Sequence, residues 1–283
     1  GRGGGMRRVM FLGQKQFGEC AWDLLREREG AGFQVVALVS NRSAEAVWWN
    51  SARIWETRGG RAFVDNAARN DEAILRAIRE LRVDTILCVQ HAWVLPPQVL
   101  GAVGYNALNF HNARLPDYRG YNAVNHALLN GDDTFTCTGH WMADRVDGGD
   151  VACEAVFRVD PAETAVSLYA KCHHAGLRAF REVLDRLDAM EALPRRPLAG
   201  EGTFYSRRSA EALRDATDCG PEEQALRARA LFFPPFEPAY VRVGERKLYL
   251  LPESVRESGF DTSRSGTLQR MMDTVDVSYV QVG

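Results

Sequence analysis

Apolar residues recur along the first third of the chain in two rhythms, short β-branched runs and longer stretches in which they return every three or four positions. The run at 8–12 ends in Gly13, and a helical pattern over 19–28 keeps Ala21, Leu24 and Leu25 on one side. Residues 34–39 and 62–64 read as the next strands, 70–81 as a helix with Ile74, Leu75, Ile78 and Leu81 facing inward, and 84–89 as a fourth strand. Strands alternating with helices predict parallel pairing with helices on both faces, a Rossmann-like α/β arrangement. Between the second and third strands, 46–58 carries Trp48, Trp49, Ile54 and Trp55, which suits a helix or an aromatic-lined loop.

A fifth strand at 105–110 runs into His111, and a helical stretch over 121–130 closes at Gly131. There the rhythm changes. Strands at 134–142 and 150–159 are separated only by a turn over 144–149, which is hairpin spacing, so the sheet is expected to be mixed, though mostly parallel. Asp160-Pro161-Ala162-Glu163 has the order of a helix start, opening a helix to about residue 190 that buries Leu168, Ala175, Phe180, Val183, Leu184 and Leu187. The Pro- and Arg-rich joint at 192–197 reads as an interdomain linker. The expected division is therefore a domain over 6–191 and a small C-terminal domain with a tail over 198–283. The latter holds 203–207, a polar helix over 221–230, a hairpin from 240–243 and 247–251, and a terminal strand within 275–282.

Composition narrows the partner more than the fold. The 283 residues are 46% hydrophobic and 25% charged, enough for one large core and a smaller module. A formal net charge of −2, from 35 basic and 37 acidic residues, gives no bulk reason to expect nucleic acid or a membrane and favours a small molecule. The six cysteines (Cys20, Cys88, Cys137, Cys153, Cys172, Cys219) are widely spaced with no C-x-x-C pair, and no apolar run is long enough to span a bilayer. A reduced cytoplasm is the expected setting. The glycine-rich residues before Met6 read as a cloning remnant and are left out of the fold reading.

Gly13 and Gly18 fail as a phosphate loop, because Glu19 and Cys20 follow where Lys and Ser or Thr are needed. No G-x-G-x-x-G follows a strand, so the glycines read as turn residues and no dinucleotide cofactor is expected. His173 and His174 beside Cys172 point about 100° apart on a helix, without a partner four residues on, so no metal is expected. His126 reads as a packing or capping residue. His91 lies just past the strand 84–89, at the carboxyl edge where open α/β sheets bind ligands, and suits a pocket wall and a surface loop equally. Asn109 and His111, two apart at a strand end, share a side and converge on one atom. Asp147 stands in the hairpin turn, followed by the permissive Gly148-Gly149. From residue types alone two readings stay open: an acyl-type site, or a turn cap, a core histidine and a turn former.

The run Asn109-Phe110-His111, the following Leu115-Pro116-Asp117-Tyr118-Arg119-Gly120 and the Asp147-Gly148-Gly149 turn together resemble the formyltransferases that use 10-formyltetrahydrofolate. That family includes glycinamide ribonucleotide transformylase, methionyl-tRNA formyltransferase and the nucleotide-sugar N-formyltransferases. The resemblance covers about 6–190 and extends more weakly to 251 through the aromatic run 229–236, where Glu237-Pro238 replaces the usual Pro-Gly. It implies Asn109 as the amide that holds the formyl oxygen, His111 as the imidazole that shares this work, and Asp147 as the carboxylate that orients the histidine and relays protons. Such roles suit the chemistry, since amine attack on a formyl carbon makes an oxyanion that needs fixed donors, and a histidine beside a carboxylate suits the proton exchange. The resemblance further implies a folate pocket of largely backbone groups from Trp93, Val94, Leu95, Ala143, Asp144 and Val146, with His140 nearby placing Asp147. Arg119, Tyr121, Trp48, Trp49 and His91 are the implied substrate contacts.

The acceptor is expected to be a small polar primary amine, a nucleotide-linked amino sugar or a specialised-metabolite amine. Methionyl-tRNA is the runner-up, because 40–52 has only Arg42 as a basic residue where tRNA-directed members carry a basic insertion. Transfer of a formimidoyl group fits the same site, and a folate-binding protein without turnover is the non-enzyme alternative. The helix over 121–130 can face solvent or a second copy in a homodimer.

Overall fold

The computed structural model describes residues 5–42, 52–257 and 276–281. The segment carrying Trp48 and Trp49 lies outside the described residues. The first elements in chain order are β1 (Arg7–Gly13), α1 (Lys15–Arg28), β2 (Phe33–Ser40), α2 (Arg53–Glu56), β3 (Ala62–Asp65), α3 (Asp71–Glu80) and β4 (Thr85–Val89). Next come α4 (Pro97–Ala102), β5 (Ala107–His111), β6 (Arg119–Gly120), α5 (Ala123–Asn130), β7 (Thr134–Trp141), β8 (Val151–Arg158) and α6 (Ala165–Asp188). The remainder forms β9 (Phe204–Tyr205), α7 (Pro221–Ala230), β10 (Tyr240–Val243), β11 (Arg246–Tyr249), α8 (Glu253–Glu257) and β12 (Tyr279–Val280).

Eight strands make one sheet in the order β12-β8-β7-β5-β4-β1-β2-β3. β3, β2, β1, β4 and β5 pair in parallel, whereas β5 meets β7, and β8 meets β12, in antiparallel fashion. The mixed, mostly parallel Rossmann-like sheet with flanking helices is therefore as the alternating pattern predicts. The central strands are buried on both faces, which explains why they read as continuous apolar runs. Met10 and Leu12 of β1 join Ile74 and Ile78 of α3 and Val99 and Leu100 of α4 in one core layer. On the other face Phe11 stacks on Trp22, and Phe110 meets the edges of Phe17 and Phe180 at 6.2 and 5.1 Å.

The chain divides into two compact units: Gly1–His111, Cys137–Ala155 and Gly176–Gly200 form one, and Asn112–Thr136, Val156–Ala175 and Glu201–Gly283 the other. Within the second, Asn125 Nδ2 donates to the Ala230 carbonyl at 2.7 Å, joining α5 to α7, and Arg229 donates to the Glu163 carbonyl. The hairpin β10–β11 pairs Tyr240 with Tyr249 and Val243 with Arg246.

Two local readings need correction. Helix α1 begins at Lys15 and includes Gly18, which is no turn residue: a Cβ there would sit 3.0 Å from the Gly13 carbonyl carbon and 3.2 Å from the Val89 oxygen. Close approach of the helix to the strand ends, not a bend, demands glycine. Asp160 does not start α6; its carboxylate accepts from Ala162 N in an Asx turn, and Thr164 caps instead, its Oγ1 accepting from Ser167 N. The joint at 192–197 is held to the sheet: Trp141 Nε1 donates to the Pro194 carbonyl at 2.7 Å, Arg195 lies 3.6 Å above the Trp141 ring, and Arg196 bridges Val151.

The aromatic layer around Phe110 should carry much of the first unit's stability. Phe180→Ala is expected to cost about 3–5 kcal/mol, the usual toll for emptying a buried phenylalanine site. Chemical denaturation measures it, and a loss below about 1 kcal/mol would contradict this packing.

Candidate active site

The site is built on the one place where the parallel series turns antiparallel. The β5–β7 register sets Asn109 opposite His140, and the β4–β5 register sets Cys88 beside Asn109, so the three lie in a row across adjacent strands. Asn109 Nδ2 is 3.1 Å from His140 Nε2, and His140 Nδ1 is 3.1 Å from the Trp141 carbonyl oxygen. A carbonyl only accepts, so Nδ1 carries a proton there, and with its proton on that nitrogen the ring turns the lone pair of Nε2 toward the Asn109 amide nitrogen. That lone pair accepts an N–H of Asn109. The amide is thereby held with its nitrogen toward His140, and its second N–H is left for another acceptor.

Asp147 comes from the loop between β7 and β8 and adopts φ 49°, a left-handed conformation uncommon outside glycine. Its Oδ1 lies 3.5 Å from His140 Nε2 and its Oδ2 lies 3.9 Å from His111 Nε2, so one carboxylate spans both rings. The loop is fixed where it leaves and rejoins the sheet, by Met142 N to the Ala107 carbonyl and Trp141 N to the Asp150 carbonyl, both 2.8 Å. Tyr105 donates to Asp144 at 2.9 Å and ties the same loop to the turn before β5. Gly149 is required, because any Cβ would strike the Trp141 carbonyl oxygen. The side chains of His111 and Asp147 keep 15% and 11% of their exposure, and that of His140 only 3%. Charges here are thus largely withdrawn from water yet reachable by a ligand.

Two neighbours complete the first unit's site. Burial pushes the Cys88 thiol up to about 12, while its sulfur accepts the His91 backbone N–H, which makes it a protonated wall rather than a nucleophile. Burial also lowers His91 to about 4, against a weaker opposing pull from Asp71, and its enclosed Nδ1 has no hydrogen-bond partner among the described residues. Sequence reasoning passed over Cys88; only the parallel register with β5 reveals it.

The loops after β4 and between β7 and β8 flank β5 on both sides. They carry Trp93, Val94 and Val146, three of the five exposed large apolar side chains in the described part of the first unit, the others being Met6 and Met190. Exposed apolar surface on the two loops beside the polar row fits a flat, largely apolar ligand. Leu95 is buried in the core layer, so only its backbone is available, whereas Ala143 is half-buried and Asp144 exposed. Arg119 and Tyr121 belong to the second unit, the first buried and the second exposed. His126 is buried, stacks on Tyr205 at 3.8 Å and shares a hydrogen bond with Ser209; His173 is buried against Tyr169. A cavity of about 370 Å³ beside β3 and α3, lined by Arg42, Phe63 and Arg76 among others, lies at the other end of the sheet from β7. Among the described residues no helix is long and apolar enough to cross a membrane.

Residues 7–184 match the family model described as formyl transferase. A methionyl-tRNA formyltransferase from Phenylobacterium zucineum is 30% identical over 222 residues, covering 76% of this chain and 71% of its own. Three curated relatives of that name are matched over 60%, 65% and 71% of their length, so the chain spans about two thirds of them. Among solved structures, a 4-N formyltransferase from Francisella tularensis superposes with a TM-score of 0.71 at 16% identity, over 88% of this chain and 99% of that one. An N-formyltransferase from Helicobacter canadensis, solved with folinic acid and dTDP-3-aminofucose, gives 0.64 at 15% identity and 81% of each chain. At these identities the structural likeness concerns the fold.

The His91 shift gives stability a pH dependence of definite sign. The unfolded chain takes up this proton below its ordinary value of 6.5, the folded chain only near 4, so the contribution is full above pH 6.5 and is lost as pH falls toward 4. It amounts to on the order of 3 kcal/mol. Comparing denaturation midpoints at pH 7.5 and 4.5, His91→Gln should show a smaller loss than the unsubstituted protein; equal losses would contradict the buried neutral ring.

Proposed function

The chain belongs to the formyl transferase family, and from that membership we propose that it moves a formyl group from 10-formyltetrahydrofolate to the primary amine of a small polar acceptor. A nucleotide-linked amino sugar or a specialised-metabolite amine is the acceptor class. The observation that carries the reading is the Asn109 amide held by His140 with one N–H left over. Bound, the folate supplies an electrophilic formyl carbon, an oxygen that gathers negative charge as the amine adds, and N10 as the departing nitrogen.

Asn109 Nδ2 donates its remaining N–H to that oxygen, and His111 Nε2 shares the charge when protonated. Because both sit on β5, the donors are fixed before any charge develops and need no reorganisation, which is where such sites derive most of their effect. Asp147, reaching both rings, takes the proton of the attacking amine directly or through water and keeps His111 oriented, so that the proton can pass on to N10. Trp93, Val94 and Val146 would receive the pterin, with main-chain groups of Leu95, Ala143 and Asp144 meeting its polar edge. His91 and Arg119 with Tyr121 are assigned to the acceptor. The catalytic domain of this reading spans 6–191, and the smaller module over 198–283 follows it in sequence.

Methionyl-tRNA formylation is the second reading, favoured by the name that the three curated relatives above carry. The net charge of −2 and the acidic partners of many arginines, such as Asp23 for Arg26 and Arg53, weigh against an extended surface for a tRNA backbone.

A panel assay following tetrahydrofolate release should show turnover with amino-sugar nucleotides or small amines and little with charged initiator tRNA. Efficient tRNA formylation would reverse the acceptor assignment. Asn109→Ala is expected to lower kcat by about 10²–10³-fold, the range for removing one oxyanion donor, and Asp147→Asn by about 10²–10⁴-fold, the range for losing a general base. Unchanged turnover in either, with folding intact, would sink the mechanism. His140→Phe should also slow kcat, by roughly 10-fold or more, through release of the Asn109 amide; a change confined to KM would remove His140 from that role.

A further inference from the structure

Arg119 keeps only 8% of its exposure, its Nε is buried without a hydrogen-bond partner, and no carboxylate pairs with it among the described residues. An enclosed guanidinium costs several kcal/mol unless an anion meets it, so proteins rarely keep one for packing alone. Its surroundings within the second unit indicate which anion. Arg119 pairs with Phe204 in the parallel β6–β9 ribbon, side by side on one face, and Phe204 is 52% exposed. Tyr121, two residues on, is 45% exposed, and the Arg207 guanidinium lies 5.0 Å over its ring, also without a carboxylate partner among the described residues. Exposed rings beside two unneutralised guanidinium groups, one of them buried, suit a ligand that is planar at one end and doubly anionic at the other.

We propose that this ribbon binds a nucleoside diphosphate, the diphosphate on Arg119 and Arg207 and the base against Tyr121 and Phe204. The platform is stiff before any ligand arrives. Arg119 N and Tyr121 N donate to the Thr203 and Tyr205 carbonyls at 3.0 Å, and Asn122 Nδ2 donates to the Arg207 carbonyl. Beneath it, Tyr205 stacks on Tyr118 at 5.8 Å and on His126 at 3.8 Å, and Tyr118 donates to Asp132. Guanidinium forks match phosphate oxygens two at a time, which favours a diphosphate over a single weak carboxylate. The inference deepens the formyl-transfer reading by choosing the nucleotide-linked acceptor, and rests on that reading only for the name of what the nucleotide carries.

Calorimetric titration of the full chain with UDP, dTDP and ADP, in the absence of folate, tests it. Saturable binding of at least one is expected, weakened about 30-fold or more by Arg119→Met and by Arg207→Ala, as when a desolvated charge pair loses a partner. Arg119→Met should at the same time raise the melting temperature of the ligand-free protein by about 2–8 °C, because an unneutralised buried charge has been replaced by an apolar chain. Should that variant fail to fold, the role of Arg119 is structural and the proposal falls; the exposed Arg207→Ala reads affinity independently. No binding of any nucleoside diphosphate, binding untouched by both substitutions, or binding of tRNA alone would also overturn it. A protein that formylates a simple amine yet ignores nucleoside diphosphates loses this inference and keeps the transfer reading; one that binds them here without transferring does the reverse.

Discussion

The antiparallel joint between β5 and β7 is the constraint on which the site depends. Backbone pairing sets Asn109 opposite His140 with no freedom to slide, because a one-residue slip would turn every side chain of β7 to the other face of the sheet. The same pairing anchors the start of the loop that carries Asp147, through Met142 N on the Ala107 carbonyl. Three polar side chains from two strands and a loop are thus located by main-chain hydrogen bonds rather than by one another.

Enclosure makes that placement chemically useful. His140 sits at the dry end of the row with both ring nitrogens engaged, and Asn109 hands the remaining N–H outward to where a ligand can reach. Cys88 on one side fills space that water would otherwise take. A protonated thiol adds bulk without adding charge, so the carboxylate of Asp147 dominates the local field. The strain accepted at its positive φ is held by the glycines that follow and the sheet that flanks it.

Much of this was legible from residue order, and the remainder was not for identifiable reasons. Two-residue spacing at the end of an apolar run puts Asn109 and His111 on one face of a strand, and both lie on β5. The hairpin spacing of 134–142 and 150–159 likewise foretold that the sheet is mixed. The partnership of His140 with Asn109 was hidden, since it depends on the register between segments thirty residues apart. Gly18 looked like punctuation because close packing against Gly13 and the Val89 carbonyl leaves no local mark. The Asp-Pro signal before α6 was genuine turn chemistry, but Thr164 stood four residues nearer and took the cap. Burial of Arg119 is invisible in sequence, for an arginine in a polar loop reads as exposed until its place in the ribbon with β9 is known.

The central claim is that Asn109 and His111 polarise the formyl oxygen before any acceptor arrives. Isotope-edited difference infrared spectroscopy of a formyl-folate labelled with ¹³C at the transferred carbon, bound without acceptor, observes that polarisation directly. The carbonyl band should move to lower frequency on binding, and the shift should disappear in Asn109→Ala while the labelled folate remains bound. A band at its solution frequency in the unsubstituted protein, or an equal shift in the variant, would contradict the account.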